Sequence, residues 1–309
     1  MHRPLPQRIT TPPPSWVPVA AVIAANVFLA TGPLFVRLAD TGPVAAAFWR
    51  IALAAPVLLT VAAALGEWPV RAARGLWGVI ALAGLAFAAD LGSWHIGIRG
   101  TTLANSTLFG NSATLIYPIY GFIVARAWPT RTQGGALALA ALGGGLLLGR
   151  SAELSPQNVV GDLFCLLAGV LYAAYFILMA RVRSTMAPMS ALGLSTAASV
   201  LPLLALALLL GERVMPGDWT PLILLTVCSQ LIGQGLMIYA IGHLTPLVVG
   251  LALLIQPVVS AAIGWVWFDE RLGLPDIAGA VLIAAALVLV RKPDTKALAP
   301  DPADPRSVA

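Results

Sequence analysis

Between residues 16 and 291 the chain is an almost unbroken series of apolar runs, each about long enough to cross a bilayer and separated by short loops. About 20 apolar residues span the hydrocarbon core as a helix. Inside that core a backbone must satisfy its own hydrogen bonds, so a chain built this way folds as membrane helices. Ten runs are read, at about 16–38, 43–65, 75–98, 101–125, 131–149, 159–181, 188–210, 218–241, 245–268 and 273–291. The tenth opens on Pro275-Asp276, which suits a helix N-terminus, where a missing N–H costs little and a carboxylate meets free donors. Only 10% of residues are charged, against roughly 25% in soluble domains, so water is not the main solvent.

The first fifteen residues and the stretch from Pro293 onward are polar and proline-rich, and are expected to be disordered tails. The first apolar run, Trp16 to Val36, exceeds the roughly 7–15 residues of a cleavable signal core and reads as a retained helix. The net charge of +5 does not indicate nucleic acid, because the basic residues sit in short loops rather than in one patch. Cys165 and Cys228 lie inside apolar runs without metal or redox spacing, and read as small buried hydrophobes. No metal and no cofactor is expected.

With the N-terminus inside, twelve of the 18 Lys and Arg residues fall on the cytoplasmic side. Arg99, Arg150, Arg213 and Arg271 fall outside, and Arg37 and Arg50 lie near the outer surface or within the membrane. The positive-inside rule then places both termini in the cytoplasm, and the expected location is a bacterial inner membrane. The chain also repeats. A shift of 144 places Arg37 on Arg181, Thr101 on Thr245 and Gly135 on Gly279, and a shift of 145 places Gly66-Glu67 on Gly211-Glu212. The same shift carries runs one to five onto runs six to ten, and an odd number of spans inverts the second unit. The expected fold is an all-α integral membrane protein, with ten transmembrane helices as two inverted five-helix repeats around a central cavity. The units are 16–150 and 159–292, joined by a loop at 151–158 and flanked by tails at 1–15 and 293–309.

Several short motifs in order along the runs carry a family resemblance. They are Phe48-Trp49-Arg50-Ile51-Ala52-Leu53-Ala54, Thr101-Thr102-Leu103-Ala104-Asn105, Ala240-Ile241-Gly242-His243-Leu244-Thr245-Pro246, and Trp267-Phe268-Asp269-Glu270-Arg271-Leu272 followed by Gly279. Over about residues 16–291 the chain resembles an EamA-type member of the drug/metabolite transporter superfamily. Gln256-Pro257, and Asn111 with Tyr117-Pro118, resemble the family's aromatic amino-acid exporters, the YddG type. One departure is Arg126, which stands where the shift would place a counterpart to Glu270. The resemblance implies a cavity lined mainly by spans one, three, four, six, eight and nine, with five and ten peripheral and two and seven as moving walls.

Within these runs Asp90 stands out, because an ionisable group in hydrocarbon costs about 2.5–3.5 kcal/mol even on lenient scales and usually faces a cavity, a partner or an ion path. It is a candidate proton-coupling site, a binder for a substrate ammonium, or a counter-ion to Arg50. Trp94 is four residues on and shares its face, which suits cation–π contact, whereas His95 lies about 140° away. The shift places Gln234 on Asp90, with Gln230 one turn earlier. Asn111 and Gln256 each precede a proline-bearing stretch whose broken backbone bonds can face a cavity. Tyr172 and Tyr175, three apart, suit an aromatic lining. Arg50 reads as snorkelling to the headgroups; otherwise it would meet a substrate carboxylate or Asp90.

An intramembrane enzyme finds no support: there is no G-x-S-x-G elbow, only His2, His95 and His243 as histidines, no H-E-x-x-H and no Walker motif. The resulting expectation is a secondary transporter, not an enzyme, working by alternating access in a lipid bilayer. By resemblance it exports small amphipathic metabolites, amino acids including aromatic ones. A multidrug, cation or purine-type transporter of the same fold is the alternative. Nothing in the sequence sets an oligomeric state.

Overall fold

The computed structural model describes residues 16–113, 156–183, 185–241, 255–270 and 273–290, with isolated positions elsewhere at 116, 130–132, 134–136, 138–139, 141–143, 146, 243–244 and 252–253. The terminal tails, Tyr117-Pro118 and Arg126 lie outside the described residues. Among the described residues the secondary structure is helical and no strand occurs.

The helices are α1 (Trp16–Ala30), α2 (Gly32–Leu38), α3 (Pro43–Ala64), α4 (Pro69–Ala72), α5 (Trp77–Gly100), α6 (Leu103–Gly110), α7 (Pro156–Arg183), α8 (Pro188–Leu209), α9 (Thr220–Leu224), α10 (Gly235–Ile241), α11 (Ile255–Phe268) and α12 (Leu274–Val290). A ten-residue π-helix, Leu225–Gln234, joins α9 to α10. Six stretches are long and apolar enough to cross a membrane: Trp16–Leu38, Pro43–Ala64, Trp77–Gly100, Pro156–Arg183, Pro188–Leu209 and Thr220–Ile241. Each matches a run read from the sequence to within a few residues. Large apolar side chains such as Leu201, Leu209, Trp265 and Leu274 stay exposed along the outside of the bundle. That is far more apolar surface than a soluble monomer leaves open.

α3 and α8 are built alike and hold each other. Each begins on a proline at its first turn, Pro43 and Pro188, where the missing N–H is an orphan anyway. Each ends on a glycine in the left-handed region, Gly66 at φ +77° and Gly211 at φ +65°. The glycine N–H and the next one bond back to the last turn, from Gly66 and Glu67 to Ala63 and Ala62, and from Gly211 and Glu212 to Leu208 and Ala207. The glutamate that follows then reaches the other helix. Glu212 accepts from the N–H groups of Val44 (3.2 Å) and Ala45 (2.7 Å), and Glu67 accepts from that of Ser190 (2.8 Å). A carboxylate over free N-terminal amides is favoured by hydrogen bonding and by the helix dipole. The two helices therefore run antiparallel, with one such cap at each end.

The largest apolar core lies where α3, α5, α7 and α8 meet, and includes Ile51, Phe87, Tyr175, Met179, Leu192 and Leu203. α5 and α7 cross backbone to backbone: a Cβ at Gly161 would sit 2.5 Å from the Gly100 carbonyl carbon. Small residues are what permit such approach between membrane helices.

Candidate functional site

A cavity of about 50 Å³ lies inside the bundle, bounded by Arg50 on α3, Asp90 and Trp94 on α5, Asn111 after α6, Tyr172 on α7, Gln234 at the end of the π-helix and Gln256 on α11. Leu29, Phe87, Leu91, Thr107 and Gly110 complete its wall. Six of the eight residues singled out in the sequence thus meet at one place.

Asp90 is buried. Among the described residues its carboxylate accepts no hydrogen bond and is not in ion-pair contact with Arg50. The two charged groups border one cavity without direct contact.

Arg50 differs from the expectation. Its side chain does not snorkel to the headgroups; it is 2% exposed and faces the cavity. Its Nε donates to Gln230 Oε1 at 3.1 Å, and Gln230 Nε2 in turn donates to Thr196 Oγ1 at 3.3 Å. Among the described residues Nη1 has no hydrogen-bond partner. Anchoring one edge of the planar fork fixes the direction of the rest.

Gln234 is oriented in the same way. The Tyr172 hydroxyl donates to Gln234 Oε1 at 3.2 Å, which leaves Nε2 buried and without a partner. Tyr172 is held by rings on one side, against Phe176 at 4.1 Å and parallel to Tyr175 at 6.0 Å. Trp94 donates its indole N–H to the Ser106 carbonyl at 2.9 Å, so its polar edge is fixed. Gln256 Nε2 donates to Asn26 Oδ1 at 2.7 Å, and Asn26 donates to the Val22 carbonyl at 2.7 Å, which ties α11 to α1.

Two sequence candidates stand back from the cavity. Tyr175 stacks on Phe87 at 4.4 Å and its hydroxyl meets Ser195 Oγ at 3.4 Å, so it forms the floor behind Tyr172. Gln230 touches Arg50 rather than the open space. His95 also points elsewhere, with Nδ1 on the Pro43 carbonyl at 3.1 Å.

A second polar cluster joins several helices near the α5–α6 turn. Arg37 pairs with Glu270 at 2.5 Å, donates to the Ile98 carbonyl at 3.2 Å and to that of Thr101, and lies over the Phe268 ring at 4.8 Å. Glu270 also accepts from the Leu103 N–H at 3.0 Å, at the start of α6. Close by, the Thr101 hydroxyl donates to Asp162, and Asn105 Nδ2 donates to its other oxygen at 3.4 Å. The sequence reading missed Asp162, although a second carboxylate inside an apolar run is the same signal that marked Asp90.

Among the described residues no group of His, Cys, Asp and Glu is arranged to hold a metal ion. The cavity has no nucleophile–base pair. Its arrangement of unpaired donors and an unpaired acceptor suits reversible binding of a small polar solute.

Comparison with curated proteins finds no match. Among solved structures, the crystal structure of a protein superposes over 89% of this chain and 96% of its own at a TM-score of 0.64, with 15% sequence identity. That likeness shows a shared fold. Among the described residues the chain is helical with six apolar spans, and its residues 159–292 match the EamA-like transporter family, which marks it as a multi-pass membrane protein and supports a place in the drug/metabolite transporter superfamily.

Proposed function

We propose that the protein is a secondary transporter that moves small amphipathic metabolites, amino acids including aromatic ones, out of a bacterial cell by alternating access. The observation that carries this is the cavity itself, where a carboxylate, a guanidinium and an amide keep unused hydrogen-bonding capacity in the middle of an apolar bundle. Buried polar groups are ordinarily satisfied, so a site that leaves them open is suited to a solute that satisfies them in passing.

The reading includes ten helices in two inverted five-helix units, with both termini cytoplasmic. The reciprocal caps of α3 and α8 support it, since Glu67 and Glu212 stand 145 positions apart, as do Pro43 and Pro188. The family match to residues 159–292 supports it too, because those are the bounds of the second unit. Solute pockets commonly enclose roughly 300–1,000 Å³. At about 50 Å³ this cavity is contracted and must widen to admit an amino acid, as rocking units allow. Asp90 is the proposed proton-coupling site. A solute that is only a cation fits less well, because Arg50 shares the cavity.

Flux into proteoliposomes is the test, with labelled amino acids, purines and a quaternary cation, with and without an imposed pH gradient. Saturable flux of large neutral amino acids is expected. Flux of the quaternary cation alone would overturn the amino-acid reading in favour of the multidrug one.

A further inference from the structure

We propose that the cavity recognises its solute by two opposite charges at once, with Arg50 and Gln234 receiving a carboxylate and Asp90 beside Trp94 receiving an ammonium. The inference rests on the transporter reading above and narrows it to zwitterions, with α-amino acids as the matching class.

Arg50 and Asp90 border the same space and yet, among the described residues, do not pair. Buried opposite charges gain most by direct contact with good geometry. Holding them apart across a cavity leaves each one a site for a third group. The guanidinium is not loosely placed: Gln230, itself held by Thr196, takes Nε and leaves Nη1 open. A guanidinium presents its N–H groups in a planar fork that matches a carboxylate. Gln234 adds a neutral donor of the same kind, because the Tyr172 hydroxyl can only donate to its oxygen and so turns the amide nitrogen out.

The other pole follows from Asp90 and Trp94, one turn apart on α5 and both on the cavity wall. The carboxylate accepts nothing from the described residues, and an ammonium brings three donors. The Trp94 N–H is already committed to Ser106, so the ring offers its apolar surface and not a donor.

Charge balance selects among solutes. One positive and one negative group leave the cavity neutral when empty, and a zwitterion leaves it neutral when full. An amine alone leaves Arg50 unanswered, and a carboxylic acid alone leaves Asp90 unanswered. In a low-dielectric site each mismatch is costly.

The test compares L-phenylalanine, 2-phenylethylamine and 3-phenylpropionate in proteoliposomes containing the full chain. Losing one charge-assisted hydrogen-bonded group should weaken competition by more than about tenfold, so both analogues should compete poorly against phenylalanine. Arg50→Gln should lose phenylalanine flux and gain relative preference for the amine. Asp90→Asn should do the opposite and favour the acid. A gained preference cannot arise from misfolding, and Arg50→Lys and Asp90→Glu should keep the wild-type order. If phenylalanine moves but the analogues compete equally, or both variants shift in the same direction, the two-pole assignment is wrong and the transporter reading stands. If no amino acid moves at all, both fall.

Discussion

The cavity and the Arg37–Glu270 cluster use the same kinds of side chain in opposite ways. At the cluster, the carboxylate takes both a guanidinium and the Leu103 amide, and Arg37 fills its remaining donors with the Ile98 and Thr101 carbonyls and the Phe268 ring. In the cavity, the carboxylate has no donor and the guanidinium has an open edge among the described residues. Saturated polar groups join segments that lie 233 residues apart. Unsaturated ones cost stability and persist where a ligand completes them. The accounting of hydrogen bonds separates the two regions.

Four substitutions break or sharpen that contrast, in descending order of effect. Asp90→Asn should abolish gradient-driven accumulation of phenylalanine, a loss of about a hundredfold or more, with little change in the unfolding temperature in detergent, since no hydrogen bond among the described residues is lost. Glu270→Ala should do the reverse. It leaves the partly buried Arg37 without its carboxylate and the Leu103 N–H without its acceptor, which costs on the order of 3 kcal/mol and lowers the unfolding temperature by several degrees. Gly42→Ala should cost about 1–2 kcal/mol, because a Cβ there would sit 2.3 Å from the Glu212 carboxylate and drive it off the α3 amides; thermal unfolding of the variant measures this. Tyr172→Phe should raise the half-saturating phenylalanine concentration a few-fold, because Gln234 loses the donor that orients its amide.

The smallest effect concerns pH. The Thr220 N–H donates to Asp218 at 2.9 Å and holds its carboxyl below the usual range. A depressed carboxyl adds stability above its unfolded value and loses it as pH falls through the folded one. A slight loss of stability below about pH 4, absent in Asp218→Asn, is therefore expected in thermal unfolding followed against pH.

Much of this was legible in the sequence, for physical reasons that differ by residue. Six of the spans were, because about 20 apolar residues have one use in a bilayer. Asp90 was, because a carboxylate in such a run is conspicuous. Arg50 was misplaced because its distance from the end of its run permits snorkelling. What turns it inward is Gln230, 180 residues away, and nothing local signals that contact. Tyr172 and Tyr175 share a face by spacing, as do Gln230 and Gln234, but a cavity has depth as well as direction. In each pair one member reaches the cavity and the other supports from behind. The wide turn of the π-helix that carries both glutamines has no sequence rule that marks it. The Arg37–Glu270 pair and the caps from Glu67 and Glu212 depend on how distant segments meet.

The central claim is that the cavity around Arg50 and Asp90 is a solute path opened in turn to either side. A single cysteine at position 256, in a chain whose Cys165 and Cys228 are replaced by alanine, reports on it directly. The measurement is labelling by a membrane-impermeant maleimide, applied from one side of sealed vesicles at a time, with and without L-phenylalanine. The account predicts labelling from both sides, slowed by phenylalanine in each case. Labelling from neither side, or labelling that phenylalanine leaves unchanged, would contradict it.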